Sequence, residues 1–411
     1  MAKPEGNTET VWRRKIPILL ACLLGLALNG YLWDPFLPYF FARANNDFAC
    51  TYTGAVLAGS PGLYSVRAVM ETERRLGDSP QFMMYQRFPY YAALVSPLRF
   101  LGYREAYWMW QAVSLGAVLV FAAFWPGQPR WVTAIACCWS IPLANCFVMG
   151  QDVTLVLAAL AVSLALLFRG RHFAAGCVMA LCSIKFHLFI TLPLFILTRR
   201  LWRFGAGTMA GGAVLLAASF AVEGWRWPAD YVRMLRLPTS TPSYRLMPNL
   251  NGLLSGHPHG LGAMALAACL VLAAAGLAMW RGRMTVAIAA MLVSGLLLSY
   301  HAFIADAVLL IPAGLLLLRD KSSLAHRAAG AVLVSPLAFI GFRLVNAPFR
   351  PAAVVLLPLA AMAGTSILAK RIHGREPHAA ARGAIAGEER CDHQNDGYQR
   401  EAGGIVRPNA G

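Results

Sequence analysis

The sequence predicts an all-α protein that crosses a membrane many times. Hydrophobic residues make up 58% of the 411 residues and charged residues only 13%, whereas ordinary soluble domains have about 25% charged residues. Apolar runs of membrane-spanning length recur along the chain, and basic residues stand between them. This pattern excludes a soluble enzyme of ordinary design, a disordered chain and a collagen-like chain.

The formal net charge of +17 comes from 36 Lys and Arg against 19 Asp and Glu. Nucleic-acid-binding proteins cluster such cations on a folded polar face. In this chain the cations lie between apolar runs, where they act as topology signals during membrane insertion. We therefore expect membrane lipids among the partners of the protein, and no nucleic acid.

A membrane-spanning helix needs about 20 apolar residues. The first candidate, residues 16–33, follows Arg13, Arg14 and Lys15 in the manner of a signal peptide, but it is long for one and no convincing cleavage site follows. We interpret it as a retained first span. The other candidate spans, in chain order, are residues 105–125, 131–149, 152–168, 204–222, 259–280, 284–300, 302–318, 328–345 and 351–369.

Two further apolar stretches are ambiguous. Residues 89–101 are short and contain two prolines, which favours a re-entrant or interfacial segment. Residues 172–198 are interrupted by Lys185 and His187, and they form either one tilted span or a hairpin of two short ones. If the basic residues that bracket the spans face the cytoplasm, the hairpin gives about twelve spans with both termini inside.

The soluble parts of the chain are few. Residues 1–373 are expected to form a single membrane domain, with long outer loops at about 34–104 and 223–258. Residues 374–411 are polar and predict a disordered cytoplasmic tail. The nine cysteines lie largely inside apolar runs and form no CxxC pair, so no disulfide framework is predicted.

Polar side chains that are rare in membrane spans collect on the outer side of this topology. A charge inside a span costs several kcal/mol, so it is normally paired or functional. Five separated segments contribute, and together they predict one site open to the non-cytoplasmic side. Their polar residues are Asp47, then Gln151 and Asp152, then Lys185 and His187, then Asn249 and Asn251, and finally Tyr300, His301 and Asp306.

Each of these residues also has a structural alternative. Asp47 and the Gln151–Asp152 pair are suited to helix capping, and Asn249 to capping within a loop. Lys185 is long enough to reach the membrane surface with its ammonium group. Asp306 is suited to pair with a nearby cation. His257 and His259 resemble a metal-binding pair, but no third ligand is visible, so no metal site is predicted.

The ordered motifs of residues 40–320 resemble glycosyltransferase family 87, the polyprenyl-phosphate-mannose-dependent mannosyltransferase-like proteins of the GT-C class. Each motif is weak alone, and the resemblance comes from their order along the chain. The motifs are Asp47-Phe48 with Tyr52, Ala58-Gly59, Leu63-Tyr64, Phe88-Pro89-Tyr90, Ser96-Pro97-Leu98, Gly150-Gln151-Asp152, Ala175-Gly176, Ile184-Lys185-Phe186-His187, and Ser299-Tyr300-His301 before Asp306.

The resemblance implies a GT-C-like helical bundle whose first outer loop contains short interfacial helices. It also implies a polyprenyl-phosphate sugar as donor, with mannose or another hexose as the sugar, and a glycan or glycolipid as acceptor. The reaction would take place on the extracytoplasmic side of the cytoplasmic (inner) membrane. The family's catalytic acidic residue in the first outer loop corresponds to Asp47. No cofactor is implied, and a metal requirement is left open.

This chemistry suits the residues on the outer side. Glycosyl transfer passes through an oxocarbenium-like state, and one carboxylate acting as general base suffices for a single inverting displacement. Asp47 is the predicted base. The leaving phosphate needs cations or hydrogen-bond donors, for which the candidates are Lys185, His187, His301 and Arg245. The candidates for sugar or acceptor binding are Gln151, Asp152, Asn249, Tyr300 and Asp306.

Two other functions remain open from the sequence. A secondary transporter or flippase for a charged or lipid-linked substrate would use Lys185, His187 and Asp306 as a relay. A non-catalytic assembly protein would use its outer loops to hold partners. The chain contains no Walker-type or Rossmann glycine pattern, so no nucleotide-binding site is predicted.

Overall fold

The computed structural model describes residues 8–44, 46–76, 83–237, 247–254, 260–340 and 351–368. All regular elements in these ranges are helical, which confirms the predicted all-α class. Residues 1–366 form one compact unit. The predicted polar tail, residues 374–411, lies outside the described residues, so it stays a prediction.

The first 100 residues contain one long helix followed by short ones. Helix α1 continues into a 3₁₀ turn and a π-helical turn that end at Ala42. The segment at residues 89–101 is a seven-residue helix followed by a five-residue 3₁₀ turn, too short to cross a membrane. The helices are α1 (Thr8–Trp33), α2 (Phe48–Leu57), α3 (Val66–Arg74) and α4 (Pro89–Val95).

The remaining helices range from four to 22 residues. The first of these, in chain order, are α5 (Tyr103–Phe124), α6 (Arg130–Cys138), α7 (Ile141–Met149), α8 (Val153–Phe168), α9 (His172–Met179), α10 (Leu192–Arg199), α11 (Trp202–Glu223) and α12 (Trp227–Leu235). The others are α13 (Leu250–Leu254), α14 (Leu261–Arg281), α15 (Met284–Leu298), α16 (Leu310–Arg319), α17 (Leu324–Val334), α18 (Leu337–Ile340) and α19 (Pro351–Leu368).

Six described helical segments are long and apolar enough to cross a membrane. The number rises to seven if α6 and α7, which meet at a bend of 65°, form one broken span. Four further apolar helices among the described residues are shorter than a full span, and the longest of them, α8 and α15, have 16 and 15 residues. The chain is therefore a polytopic membrane protein, and the predicted count of about twelve spans stays a prediction.

The buried core is apolar, and the predicted polar residues lie at one end of the helices that form it. Helix α15 is buried along almost its whole length, and α16 is buried from Leu310 to Leu317. Helix α8 packs between α5 and α9. Each of these central helices has one end next to a predicted site residue, so the apolar core holds the polar side chains in place.

The ambiguous segment at residues 172–198 is helical with a bend at Lys185. Helix α9 passes into a 3₁₀ segment, Ala180–Phe189, in which Lys185 has non-helical angles of φ −127° and ψ 55°. Helix α10 follows from Leu192. The bend lies where the sequence places a lysine and a histidine in an apolar run, and it interrupts the regular helix at the site.

Candidate functional site

The side chains of Asp47, Gln151 and Lys185 form one hydrogen-bonded chain. The Gln151 Nε2 atom donates to Asp47 Oδ2, and Lys185 Nζ donates to Gln151 Oε1 at 3.0 Å. The same ammonium lies 3.5 Å from Asp152 Oδ1 and 3.2 Å from Asp306 Oδ1. Lys185 is buried, so it meets oxygen acceptors inside the protein and does not reach for the membrane surface.

Arg87 joins this cluster, and the sequence did not predict it as a site residue. Its Nε and Nη2 atoms donate to the two carboxylate oxygens of Asp152 at 2.7 and 3.1 Å. This two-pronged geometry is the strong form of an arginine–carboxylate pair. The position of Arg87 directly before the Phe88-Pro89 motif is the sequence feature that could have identified it. We call Asp47, Arg87, Gln151, Asp152, Lys185 and Asp306 the site network.

The helix-capping alternatives do not describe the two aspartates. Asp47 and Asp152 occupy the N-cap positions of α2 and α8, but neither side chain makes a capping hydrogen bond. The neighbouring Asn46 accepts from the backbone N–H of Phe48 at 3.1 Å and donates to the carbonyl of Val148 at 3.0 Å. Because Asn46 ties the start of α2 to α7, the Asp47 carboxylate is left to meet Gln151.

A glycine turn brings Gln151 to Asp47. Gly150 has φ +65°, a left-handed conformation that favours glycine, and a Cβ atom there would lie 2.7 Å from the Cβ of Phe48. Trp110 Nε1 donates to the carbonyl of Gly150 at 2.9 Å and fixes the turn from α5. The Gly150-Gln151-Asp152 motif is thus a tight connection that aims two consecutive polar side chains into the network.

The two predicted histidines meet around Ser299. His187 Nδ1 lies 2.7 Å from Ser299 Oγ, and the backbone N–H of His301 donates to the same oxygen at 3.3 Å. His301 also lies on the sequence segment of Asp306, whose Oδ2 atom accepts from the N–H of Phe303 at 2.8 Å. The histidines are therefore connected to the site network through short chain segments.

The two asparagines anchor the second outer loop. Asn249 Nδ2 donates to the carbonyl of Ser299 at 2.8 Å, and its Oδ1 atom accepts from the N–H of Gly252 at 2.9 Å. Asn251 donates to the carbonyl of Tyr300 at 2.7 Å. Asn249 is fully buried, so its geometry fits the loop-capping alternative, and its predicted contact with a sugar stays a prediction.

Aromatic rings form a partly exposed rim beside the network. The Phe186 ring is stacked nearly parallel on Phe88, with centroids 5.4 Å apart. The His187 ring lies 5.7 Å from that of Tyr300, and Tyr300 is 55% exposed and Phe186 41% exposed. Flat exposed rings next to buried charges can accept a substrate with both an apolar and a polar part.

The charges of the network are not balanced. Three carboxylates face the two cations Arg87 and Lys185, and the ion pairs join those cations to Asp152 and Asp306. Asp47 has the neutral Gln151 amide as its hydrogen-bond partner. Burial raises the pKa of the Asp47 carboxyl above its ordinary value, while the Gln151 hydrogen bond and the charge of Lys185 partly oppose that rise. A carboxylate in this state is a stronger base than an exposed one.

His301 is shifted in the opposite sense. Burial lowers the pKa of its imidazole below the ordinary value, and the negative charge of Asp306 opposes this only in part. The neutral ring is therefore favoured near neutral pH, and it offers one N–H donor and one acceptor.

Three of the residues that the sequence singled out cannot be placed. Arg245, His257 and His259 lie outside the described residues. Within the described ranges, no group of three or more His, Cys, Asp or Glu side chains has the geometry to hold a metal ion. Nine of the ten predicted site residues are thus located, and five of them, Asp47, Gln151, Asp152, Lys185 and Asp306, are in direct contact in one network.

Comparison with known proteins gives one family. Residues 88–312 match the family model described as glycosyltransferase family 87, whereas no curated protein and no solved structure matches the chain. The match covers more than half of the chain and includes every located site residue except Asp47 and Arg87, which the structure brings into contact with the matched part. The chain belongs to glycosyltransferase family 87, and it is a membrane glycosyltransferase.

Proposed function

We propose that this glycosyltransferase moves a hexose, with mannose as the first candidate, from a polyprenyl-phosphate donor to a glycan or glycolipid acceptor by inverting displacement. The observation that carries the proposal is the state of Asp47. It is an acid with a raised pKa and a neutral partner, placed at the partly exposed edge of a buried charge network. Such a group is suited to accept a proton from an attacking hydroxyl.

The proposed step is a single exchange of bonds at the anomeric carbon. The acceptor oxygen forms a bond to that carbon while its proton passes to Asp47. The bond from the carbon to the phosphate oxygen breaks, and the electron pair leaves with the polyprenyl phosphate. Gln151 holds the Asp47 carboxylate in place, and Lys185 in turn holds Gln151.

The leaving phosphate needs hydrogen-bond donors and positive charge in a partly dry site. His187 and His301 lie at the partly exposed rim, and Lys185 and Arg87 supply positive charge behind it. Arg245 remains a proposed ligand from the sequence. We propose no resident metal, because these side chains supply the charge that the leaving group needs. Transfer should therefore persist in EDTA.

Two residues with exposed surface, Gln151 of the network and Tyr300 of the aromatic rim, are proposed to orient the sugar or acceptor. Gln151 and Tyr300 are partly or largely exposed and can contact a substrate directly. Asp152 and Asp306 are buried in ion pairs, so they act by fixing Arg87 and Lys185.

We place the enzyme in the cytoplasmic (inner) membrane with the site on the extracytoplasmic side. The basic residues Arg169, Arg171, Arg319 and Lys321 lie in connections at the ends of α8 and α16 that are remote from the site network, as the positive-inside rule expects of the cytoplasmic face. A Lys321→Cys variant, made together with Cys391→Ser so that the tail carries no cysteine, tests this orientation. It should react with a membrane-impermeant maleimide in inverted vesicles and not in right-side-out vesicles.

The deciding experiment offers purified protein in nanodiscs a panel of polyprenyl-phosphate sugars, together with a lipid extract as acceptor. Loss of donor is measured by mass spectrometry. The Asp47→Asn variant should lose about 10²–10⁴-fold in rate while it still inserts and folds. The matched control is Asp34→Asn, which removes an exposed acid at the end of α1 and should turn over normally.

Two results would overturn parts of the proposal. Near-normal turnover by the Asp47→Asn variant removes Asp47 as the base. Consumption of a nucleotide sugar, with every polyprenyl-phosphate sugar left intact, removes the proposed donor class. A transporter or flippase would instead move a lipid-linked substrate across the bilayer without consuming it.

A further inference from the structure

Helix α12 directly follows a candidate membrane span and lies beside the site. Helix α11 is a candidate membrane span of 22 residues, and α12 begins after only three intervening residues, at Trp227. A chain that leaves a membrane span and forms a short helix so soon has that helix at the level of the lipid head groups.

The two faces of α12 differ in chemistry. Its inner face buries Trp227, Tyr231 and Met234, and the rings of Trp227 and Tyr231 contact Phe88 at 5.7 and 5.3 Å. Phe88 directly follows Arg87 in the chain. The inner face is therefore a wall of the site.

The outer face combines positive charge with apolar surface. Arg226, Arg233 and Arg236 are exposed there, and the only acid within the helix is Asp230. Val232 is 46% exposed and Leu235 42% exposed, and Trp225, just before the helix, is 85% exposed. The Asp230–Arg233 pair is itself largely exposed, so it leaves the arginine free to exchange partners at little cost.

These residues also shape a groove on the outer surface. It is lined by the apolar side chains of Pro228, Ala229 and Val232 and by the side chains of Arg233 and Arg236. A lining that combines apolar side chains with guanidinium groups fits an amphiphile with an anionic head and a hydrocarbon tail. Arginine binds phosphate through two parallel hydrogen bonds, and tryptophan favours the membrane–water interface.

We propose that the outer face of α12 binds the phosphate groups of anionic phospholipids in the leaflet that borders the site. The three arginines take the head groups, and Val232, Leu235 and Trp225 lie against the upper acyl chains. Because the inner face of the same helix packs on Phe88, the bound lipids stabilise the wall next to Arg87. The proposal does not depend on which sugar or acceptor the enzyme uses.

Fluorescence of Trp225 tests the lipid contact without any enzymatic assay. The contribution of Trp225 is the difference between the protein and its Trp225→Phe variant, measured in vesicles of phosphatidylcholine with 30% phosphatidylglycerol. Brominated acyl chains are placed on one lipid or on the other, at equal total bromine. We expect quenching by brominated phosphatidylglycerol to exceed that by brominated phosphatidylcholine at least about twofold, and the excess to fall in high salt.

The arginines are tested in the same assay. The variant has three substitutions, Arg226→Gln, Arg233→Gln and Arg236→Gln. Its Trp225 fluorescence should be quenched equally by the two brominated lipids. The matched control is Arg67→Gln, Arg74→Gln, Arg75→Gln, which removes the same charge from exposed positions of α3 and its end and should keep the preference. Equal quenching in the unaltered protein, or loss of the preference in the α3 control, overturns the proposal.

A second measurement covers the case in which Trp225→Phe does not fold. Native mass spectrometry then compares the phosphatidylglycerol retained by the unaltered protein and by the α12 triple variant after mild delipidation. We expect the triple variant to retain less phosphatidylglycerol and as much phosphatidylcholine as the unaltered protein. Equal retention of phosphatidylglycerol overturns the proposal.

Discussion

The site network and a second polar cluster lie at the two ends of residues 305–319, about 25 Å apart along that helical segment. In the second cluster the Asp320 carboxylate accepts from Ser322 Oγ at 2.5 Å and lies 2.7 Å from His326 Nδ1. His326 Nε2 lies 2.6 Å from Thr365 Oγ1. We call Arg283, Asp320, Ser322, His326 and Thr365 the cap network.

Both networks contain a buried carboxylate with short contacts to a basic side chain, but they are built from different parts of the chain. The cap network comes mostly from residues 320–326, and both oxygens of Asp320 have hydrogen-bond partners. It joins the start of α17 to α19. The site network draws on five separated segments and includes Asp47, a partly exposed acid with a neutral partner. We therefore propose that the reactive acid is the one at which distant segments meet without a directly paired cation, and not the one in a local acid–histidine contact.

Replacing Lys185 should have the largest effect, because it leaves the buried Asp306 carboxylate without its cation and takes one of two cations from the buried Asp152. We expect the Lys185→Met variant to lose all measurable transfer and about 3–5 kcal/mol of stability. Arg283→Met is the matched change in the cap network. The Arg283 side chain is largely exposed and lies 3.5 Å from Asp320, so its loss should cost less than about 1 kcal/mol. Thermal unfolding in detergent and a donor-consumption assay measure both effects, and equal losses in the two variants would erase the distinction.

Neutralising one acid in each network separates function from stability. Asp152→Asn removes the two-pronged partner of Arg87 and should cost about 2–3 kcal/mol and at least tenfold in transfer rate. Asp320→Asn should cost about 1–3 kcal/mol and leave the transfer rate per folded molecule unchanged. The measurement is turnover normalised to the folded fraction. A reduced rate in folded Asp320→Asn would contradict the assignment of the cap network to stability.

The pH profile of transfer should report on Asp47. The carboxyl is a base only when deprotonated, so transfer falls as the pH drops through its pKa, which burial raises above the ordinary value. The Gln151 hydrogen bond lowers that pKa, so the Gln151→Ala variant should move the acid limb to higher pH. Gln111→Ala removes a glutamine that bonds the carbonyl of Phe147 instead, and its acid limb should not move. An unmoved limb in Gln151→Ala would separate Gln151 from the base.

Removing the Thr365 hydroxyl should have the smallest effect. The Thr365→Val variant loses the contact to His326 and should cost about 1 kcal/mol of stability, with transfer unchanged. Thr198→Val is the control, because that hydroxyl bonds carbonyls of its own helix, and it should cost less. The melting temperatures of the two variants measure this difference in stability. A change in transfer rate with Thr365→Val would connect the cap network to the reaction.

Much of the site could be predicted from the sequence because the membrane makes polar residues conspicuous. Asp152, Lys185 and Asp306 stand out since a charge among apolar residues is costly without a partner. Arg87 was missed because it lies in a loop with other arginines, where a charge carries no such cost. The structural role of Asn46 was also missed, since loop asparagines have many uses, whereas the loop-capping role of Asn249 was one of the alternatives that the sequence offered.

The sequence by itself determined the class of protein, the family and the set of polar residues that must find partners. Composition and the order of motifs can be read directly from the sequence of a single chain, because neither depends on how the chain folds. Only the tertiary structure decided which side chains pair. Arg87 binds Asp152, and Lys185 lies between Asp152 and Asp306. Asp47 accepts a hydrogen bond from Gln151. Those choices depend on distances of a few ångström between segments far apart in the chain, which the packing of apolar helices sets.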